Sequence, residues 1–287
     1  LYAWRGRIQK VEYYNTAMNE AQLKAITGGW VETDPYWNNV SLLLQADGPA
    51  NTRTNNVFLD GSANAIAVSR SGNVTQGSFS PFTKTYPYNV NLGGGSMYFD
   101  GSGDYLQATL PSTLSGMFTI EMWINKTAVT PAAGKALFTI GDSGTANNGF
   151  EVYLQSTAFS IYGLSAYQIN TTNIPTAGQW NHIAITRDAS NVIRFYLNGT
   201  QIGSTWTTTT TFSSALIIGA EYYNSVITST AYFDGYISNL RVVPGVAVYT
   251  GAFTTPTAPL GKSQVANAVS NIGAITETAV NAVPATT

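Results

Sequence analysis

From Ser41 to Val243, short runs rich in Tyr, Phe, Ile, Val and Thr alternate with Gly, Asn, Asp or Pro. That spacing predicts antiparallel strands in a sandwich or barrel. Between Phe118 and Asn125, the residues Phe118, Ile120, Met122 and Ile124 share one face, and Thr119, Glu121, Trp123 and Asn125 share the other, because successive strand side chains point to opposite sides. The first set reads as core, with Trp123 on the opposite side. Between Val192 and Asn198, Ile193, Phe195 and Leu197 fall together, and Asn198-Gly199 then predicts a two-residue hairpin turn, since both residues tolerate positive φ. Similar runs occupy Ser41–Ala46, Met97–Phe99, Asp104–Leu110, Ala136–Ile140, Phe150–Leu154, Phe159–Tyr162, His182–Thr186, Leu216–Gly219 and Tyr232–Val243. The expected fold class is all-β, a two-sheet antiparallel jelly-roll sandwich.

The two ends depart from this pattern. Gly6, Ile8 and Val11 echo Gly235, Ile237 and Leu240 at equal offsets, so residues 1–30 read as the terminal strand of a preceding repeat, followed by a short helix capped by Asn19 and stopped at Gly28. Asp34-Pro35 marks a linker over 31–37, the jelly roll is expected over 38–260, and 261–287 reads as a linker or the start of a following module. The chain opens on Leu1 without the features of a signal peptide, which suggests a piece of something longer. A lone strand and short helix need partners for their backbone groups. Residues 1–30 are therefore expected to complete a sheet of a neighbouring copy or to dock on the sandwich, which would make other subunits of a symmetric assembly the partners.

Composition narrows the chemistry. Charged residues are only 10% of the 287, while 44% are hydrophobic, so the chain has ample apolar surface for a core. A net charge of -2, with Lys and Arg scattered singly, argues against nucleic-acid binding. No Cys and one His exclude a zinc site of the usual kind, a thiol nucleophile and a disulfide framework. The longest apolar runs, such as Ala215 to Ala220, fall far short of the roughly 18–20 residues of a membrane helix, and membrane insertion is not expected.

Several stretches carry a family resemblance. Ser41-Leu-Leu-Leu-Gln-Ala-Asp47-Gly, Ser96-Met-Tyr-Phe-Asp100-Gly-Ser-Gly-Asp104, Phe118-Thr-Ile-Glu121-Met-Trp123, Gln179-Trp180-Asn-His182-Ile-Ala-Ile-Thr-Arg187, Phe195-Tyr-Leu-Asn198-Gly and Phe233-Asp234-Gly-Tyr-Ile-Ser-Asn-Leu-Arg241 stand in order. Together they resemble the laminin G-like, concanavalin A-like jelly rolls. Thr54 to Pro81, and Gly245-Val-Ala-Val-Tyr249 through Phe253 to Pro259, resemble versions found in marine bacteriophage virion proteins. The resemblance implies two facing sheets, often a calcium ion near one edge, and binding to glycans or proteins; it implies no reaction.

Candidate residues can be weighed against that background. Retaining glucanases of this superfold alternate carboxylates along one strand face, but Glu121 is followed there by Trp123 and Asn125, so the pattern is broken. Glu121 and Glu151 could still approach each other from different strands, but both read as solvated or hydrogen-bonded strand carboxylates. His182 reads as structural, since no G-x-S-x-G elbow accompanies it. Clustered Asp residues with Gly beside them can supply calcium oxygens, which makes Asp100 and Asp104 the first metal candidates and Asp47 and Asp234 the next. Trp123, Trp206, Tyr162 and Tyr222, with Tyr167 and Tyr223, could stack on sugar rings, whereas Trp180 reads as core.

The expected function is a non-enzymatic structural or adhesion module of a phage virion or another surface assembly, with weak contact to a host or environmental glycan and a location on a virion or extracellular surface. One alternative is a cellular calcium-dependent lectin or adhesin. The other is a glycoside hydrolase or lyase of the same superfold.

Overall fold

A computed structural model describes residues 34–46, 55–82, 95–127, 134–144 and 148–261. The echo within residues 1–30, the tail from 262 and Asp47 lie outside the described residues.

One sheet joins β1 (Leu42–Leu44), β3 (Thr75–Gly77), β4 (Ser96–Asp100), β6 (Phe118–Lys126), β11 (Asn181–Arg187), β12 (Val192–Leu197), β13 (Thr200–Thr207) and β17 (Asp234–Pro244). Its order is β13-β12-β11-β6-β17-β4-β3, with β1 also on β17. The facing sheet runs β10-β9-β8-β7-β14-β5-β2, built from β2 (Val68–Ser71), β5 (Tyr105–Thr109), β7 (Lys135–Ile140), β8 (Phe150–Leu154), β9 (Phe159–Gly163), β10 (Ala166–Thr171) and β14 (Ala215–Ile218). A small hairpin of β15 (Tyr222–Tyr223) and β16 (Val226–Ile227) follows β14. Every pairing is antiparallel, and β1 meets β17 with Leu42 opposite Val242. The expected jelly-roll sandwich is the fold found.

The inward set predicted for β6 is fully buried, as are Ile193 and Phe195 on β12. They pack between the sheets with a run of phenylalanines, among them Phe150, whose ring lies 4.8 Å from Phe212 and 5.9 Å from Phe138. Burying each such side chain contributes on the order of 2–3 kcal/mol. Asn198 and Gly199 adopt φ of 50° and 79°, which closes the predicted β12–β13 hairpin.

Part of the outer face of the first sheet is covered by the chain itself. Residues 245–261 return across it as a strap: Thr119 Oγ1 donates to Val246 O at 2.9 Å and accepts from Val248 N at 2.8 Å, and Phe253 N donates to Gly199 O at 2.9 Å. Gly199 is required there, because a Cβ would come within 2.0 Å of Phe253 O. Asp34 also belongs to this cover. It was expected to lie in a linker, yet it is 4% exposed and paired with Arg241.

Candidate functional site

Beneath the strap lies a cluster with the residue types of an active site. Glu121, fully buried, takes Arg241 Nε on Oε1 at 2.8 Å, His182 Nε2 on Oε2 at 3.1 Å and the Tyr249 hydroxyl on Oε2 at 2.8 Å. Arg241 also donates to Asp34. Burial alone would raise the Glu121 pKa, but Arg241, His182 and Tyr249 overcome it and hold the group at about 2 against an ordinary 4.5. Tyr249 stacks on Phe253 at 3.6 Å between centroids, and Phe253 packs edge-on against His182. His182 is 1% exposed, so the cluster is a sealed bracket for the strap, in keeping with a structural histidine. Glu151 lies on the outer face of the opposite sheet, opposite Thr139. Two packed sheets about 10 Å apart separate it from Glu121, and the two carboxylates form no catalytic pair.

Of the aspartates expected to hold calcium, Asp100, Asp104 and Asp234 are described, and among the described residues no group of three or more His, Cys, Asp or Glu is gathered to hold a metal ion. Asp104 is fully buried and accepts Asn73 N at 2.6 Å and Asp100 N at 3.1 Å. The Asn73 amide, oriented to donate, reaches both carboxylate oxygens at 3.0 and 2.9 Å. The carboxylate thus satisfies N–H groups of its loop, which is the role of a turn aspartate. Asp100 closes its own turn by accepting Ser102 N at 2.8 Å. Asp234 sits opposite Asp100 across β17 and β4, but the cavity of about 150 Å³ that they line also holds Lys126 and Lys135, whose ammonium groups disfavour a divalent cation.

Among the aromatic candidates, Trp206 is corrected outright. It is 7% exposed and packs into the core against Phe150 and Phe212, leaving no face for a sugar. Trp180, expected in the core, instead lies half-buried with its ring against Phe79 and Tyr236. Trp123 is half-buried between Phe82 and His182, with its indole N–H sealed. The tyrosines converge. Tyr162 on β9 points away from the core, 5.0 Å from Tyr167 and 6.1 Å from Tyr223 between ring centroids. Tyr167 is 48% exposed and accepts Gln155 Nε2 at 2.7 Å on its hydroxyl. Tyr222, the other tyrosine candidate, is half-buried in the β15 hairpin opposite Ile227. Burial first, and Tyr223 second, push the Tyr162 hydroxyl up to about 12, so it remains a neutral hydrogen-bonding group.

The hairpin reaches this face through Thr139, whose Oγ1 donates to Ala220 O at 3.0 Å and accepts Tyr222 N at 3.2 Å. Asp142 accepts Asn224 N at 3.0 Å and Ser225 N at 2.7 Å. Between those anchors, Glu221 comes over Glu151, a contact sequence reasoning missed. Glu151 is 1% exposed; burial first and Glu221 second raise its pKa from 4.5 to about 9.

The sandwich that carries the strap and the open tyrosine cluster has counterparts among known proteins. The sequence profile of the laminin G type in the concanavalin A-like lectin/glucanases superfamily matches residues 100–248. The chain belongs to that family. No curated protein matches it in sequence. Among solved structures, the binding domain of botulinum neurotoxin serotype C1 is similar at a TM-score of 0.51 and 17% identity, over 72% of this chain and 49% of that one. The binding domain of botulinum neurotoxin serotype D/C is similar at 0.50 and 18%, over 72% and 49%. This laminin G-like chain thus spans about half the length of those structures, and the likeness is one of fold. None of the helices among the described residues is long and apolar enough to cross a membrane.

Proposed function

We propose that the chain is a non-catalytic glycan-binding module whose sugar lies on the tyrosine face formed by Tyr162, Tyr167 and Tyr223. The observation that carries this reading is the exposure of Tyr167 within a cluster of rings held in place by neighbours. Aromatic faces match the apolar C–H patches of sugar rings, and Gln155, Asn170 and the tyrosine hydroxyls stand ready to meet sugar hydroxyls. Ligand sites commonly combine such apolar surface with a few placed polar groups. The family, which includes lectins, supports the same reading. The resemblance of 54–81 and 245–259 to virion proteins supports a place in a phage particle or another extracellular assembly, where weak sites gain avidity through repetition.

Glycan-array binding by the chain and by Tyr167→Ala tests the site. The expected result is a defined set of glycans bound by the parent chain and lost, by roughly tenfold or more, in the variant. Equal binding by both proteins would remove the tyrosine face from the account.

A further inference from the structure

The tyrosine face carries charge of one sign. Strand register sets Tyr162 opposite Glu151 and Glu151 opposite Thr139, so the three share one outer surface on adjacent strands. The hairpin crosses that surface on two bonds: Thr139 Oγ1 accepts Tyr222 N at 3.2 Å, and Ser143 N donates to Tyr222 O at 3.2 Å. Side chains two residues apart in extended chain project to the same side, which turns Glu221 and Tyr223 together toward Glu151 and Tyr162, with the two tyrosine rings 6.1 Å apart. Glu221 accordingly adds to burial in raising the pKa values of Glu151 and Tyr153. Residues 136–186 and 195–240, which supply β8, β9, β10, β14 and the hairpin, contain no Lys or Arg. The cations of the described residues are held elsewhere. Lys126 and Lys135 line the Asp100–Asp234 cavity, Arg194 pairs with Asp188, Arg241 with Glu121 and Asp34, and Arg187 and Arg70 donate to main-chain carbonyls.

We propose that the glycan taken by this face is a cationic one, a hexosamine chain with free amino groups, and that Glu221 selects it. The inference rests on the glycan reading of the tyrosine face and adds the charge of the sugar. The ring faces of Tyr162, Tyr167 and Tyr223 are the negative side of the aromatic quadrupole, so they attract an ammonium as well as sugar C–H groups. Glu221, half-buried two residues before Tyr223, adds a carboxylate to that field. Asp142, the other acid of 136–186 besides Glu151, is instead turned into the hairpin by the N–H groups of Gly144, Asn224 and Ser225. A uronic or sialic acid on this face would meet no Lys or Arg among the described residues and would lie against Glu221, a like-charge contact that costs affinity.

The test is an amide chemical-shift titration of the chain with a glucosamine hexamer and with its N-acetylated counterpart, in mildly acidic, low-salt buffer where the free amines are protonated. The amine form should bind more tightly by about fivefold or more. That preference should shrink at high salt and disappear in Glu221→Gln, whose unshifted Tyr223 amide would show that the hairpin stays in place. Tyr167→Ala should lose both forms. Equal or tighter binding of the acetylated form, still lost in Tyr167→Ala, would overturn the cationic class while leaving the glycan reading intact. No binding of the amine form would overturn the inference in the same way, and a preference unchanged in Glu221→Gln would overturn the selecting role of Glu221. Binding that survives Tyr167→Ala would overturn the glycan reading of the tyrosine face itself.

Discussion

Tyr249 donates its hydroxyl hydrogen to Glu121 at 2.8 Å across 128 residues of sequence, fastening the returning strap to the middle of the first sheet. The bond matters because Glu121 is buried as an anion, and every donor around it offsets the desolvation of that charge. Tyr249→Phe should lower unfolding stability by about 1–3 kcal/mol, measured by urea denaturation. No change would mean that the strap is held by stacking alone.

The same carboxylate makes the domain acid-sensitive. Its pKa lies near 2 in the folded protein against 4.5 as the reference, so its contribution is fully present above pH 4.5 and is lost as pH falls toward 2. At about 1.4 kcal/mol per pH unit, that contribution is on the order of 3 kcal/mol. Tm should fall steeply between pH 4.5 and 2, and a flat profile through that window would contradict the buried ionised bracket.

Gly199 is a second point of dependence. It holds φ at 79° and lies under Phe253 O, so Gly199→Ala should be destabilising by about 1–3 kcal/mol. The displaced strap should then become a protease target, read by limited digestion within residues 245–261. Unaltered resistance would show that the strap tolerates displacement.

Asp104 and Asp100 should separate cleanly. Asp104→Ala leaves the partly buried N–H groups of Asn73 and Asp100 without their acceptor and should be destabilising by about 1–3 kcal/mol. Asp100→Ala removes only a solvent-facing turn contact and should stay within about 0.5 kcal/mol. Chemical denaturation of both variants checks the difference, and equal losses would return Asp100 to a shared site.

Much of this fold was legible in the sequence, because strand alternation and the Asn198-Gly199 turn are local signals. Two tryptophans were also legible by parity. Trp206 shares its face with Ile202, a core residue, while Trp180 shares the outward face of His182, opposite Ile183. The strap was not legible, since 245–261 has no period of two and is fixed by single bonds to distant strands. The meeting of Glu221 with Glu151 was hidden for the same reason: it depends on a loop crossing a sheet. Asp104 misled because Asp beside Gly is the signature of both a calcium loop and a turn whose backbone N–H groups the carboxylate satisfies.

The central claim, a sugar on the tyrosine face, is tested most directly by amide chemical-shift mapping of the chain with a glycan identified on the array. The account predicts saturable perturbations centred on Tyr162, Tyr167 and Tyr223 that disappear in Tyr167→Ala. Perturbations centred on Trp123 and Trp180, on the other sheet, would contradict it.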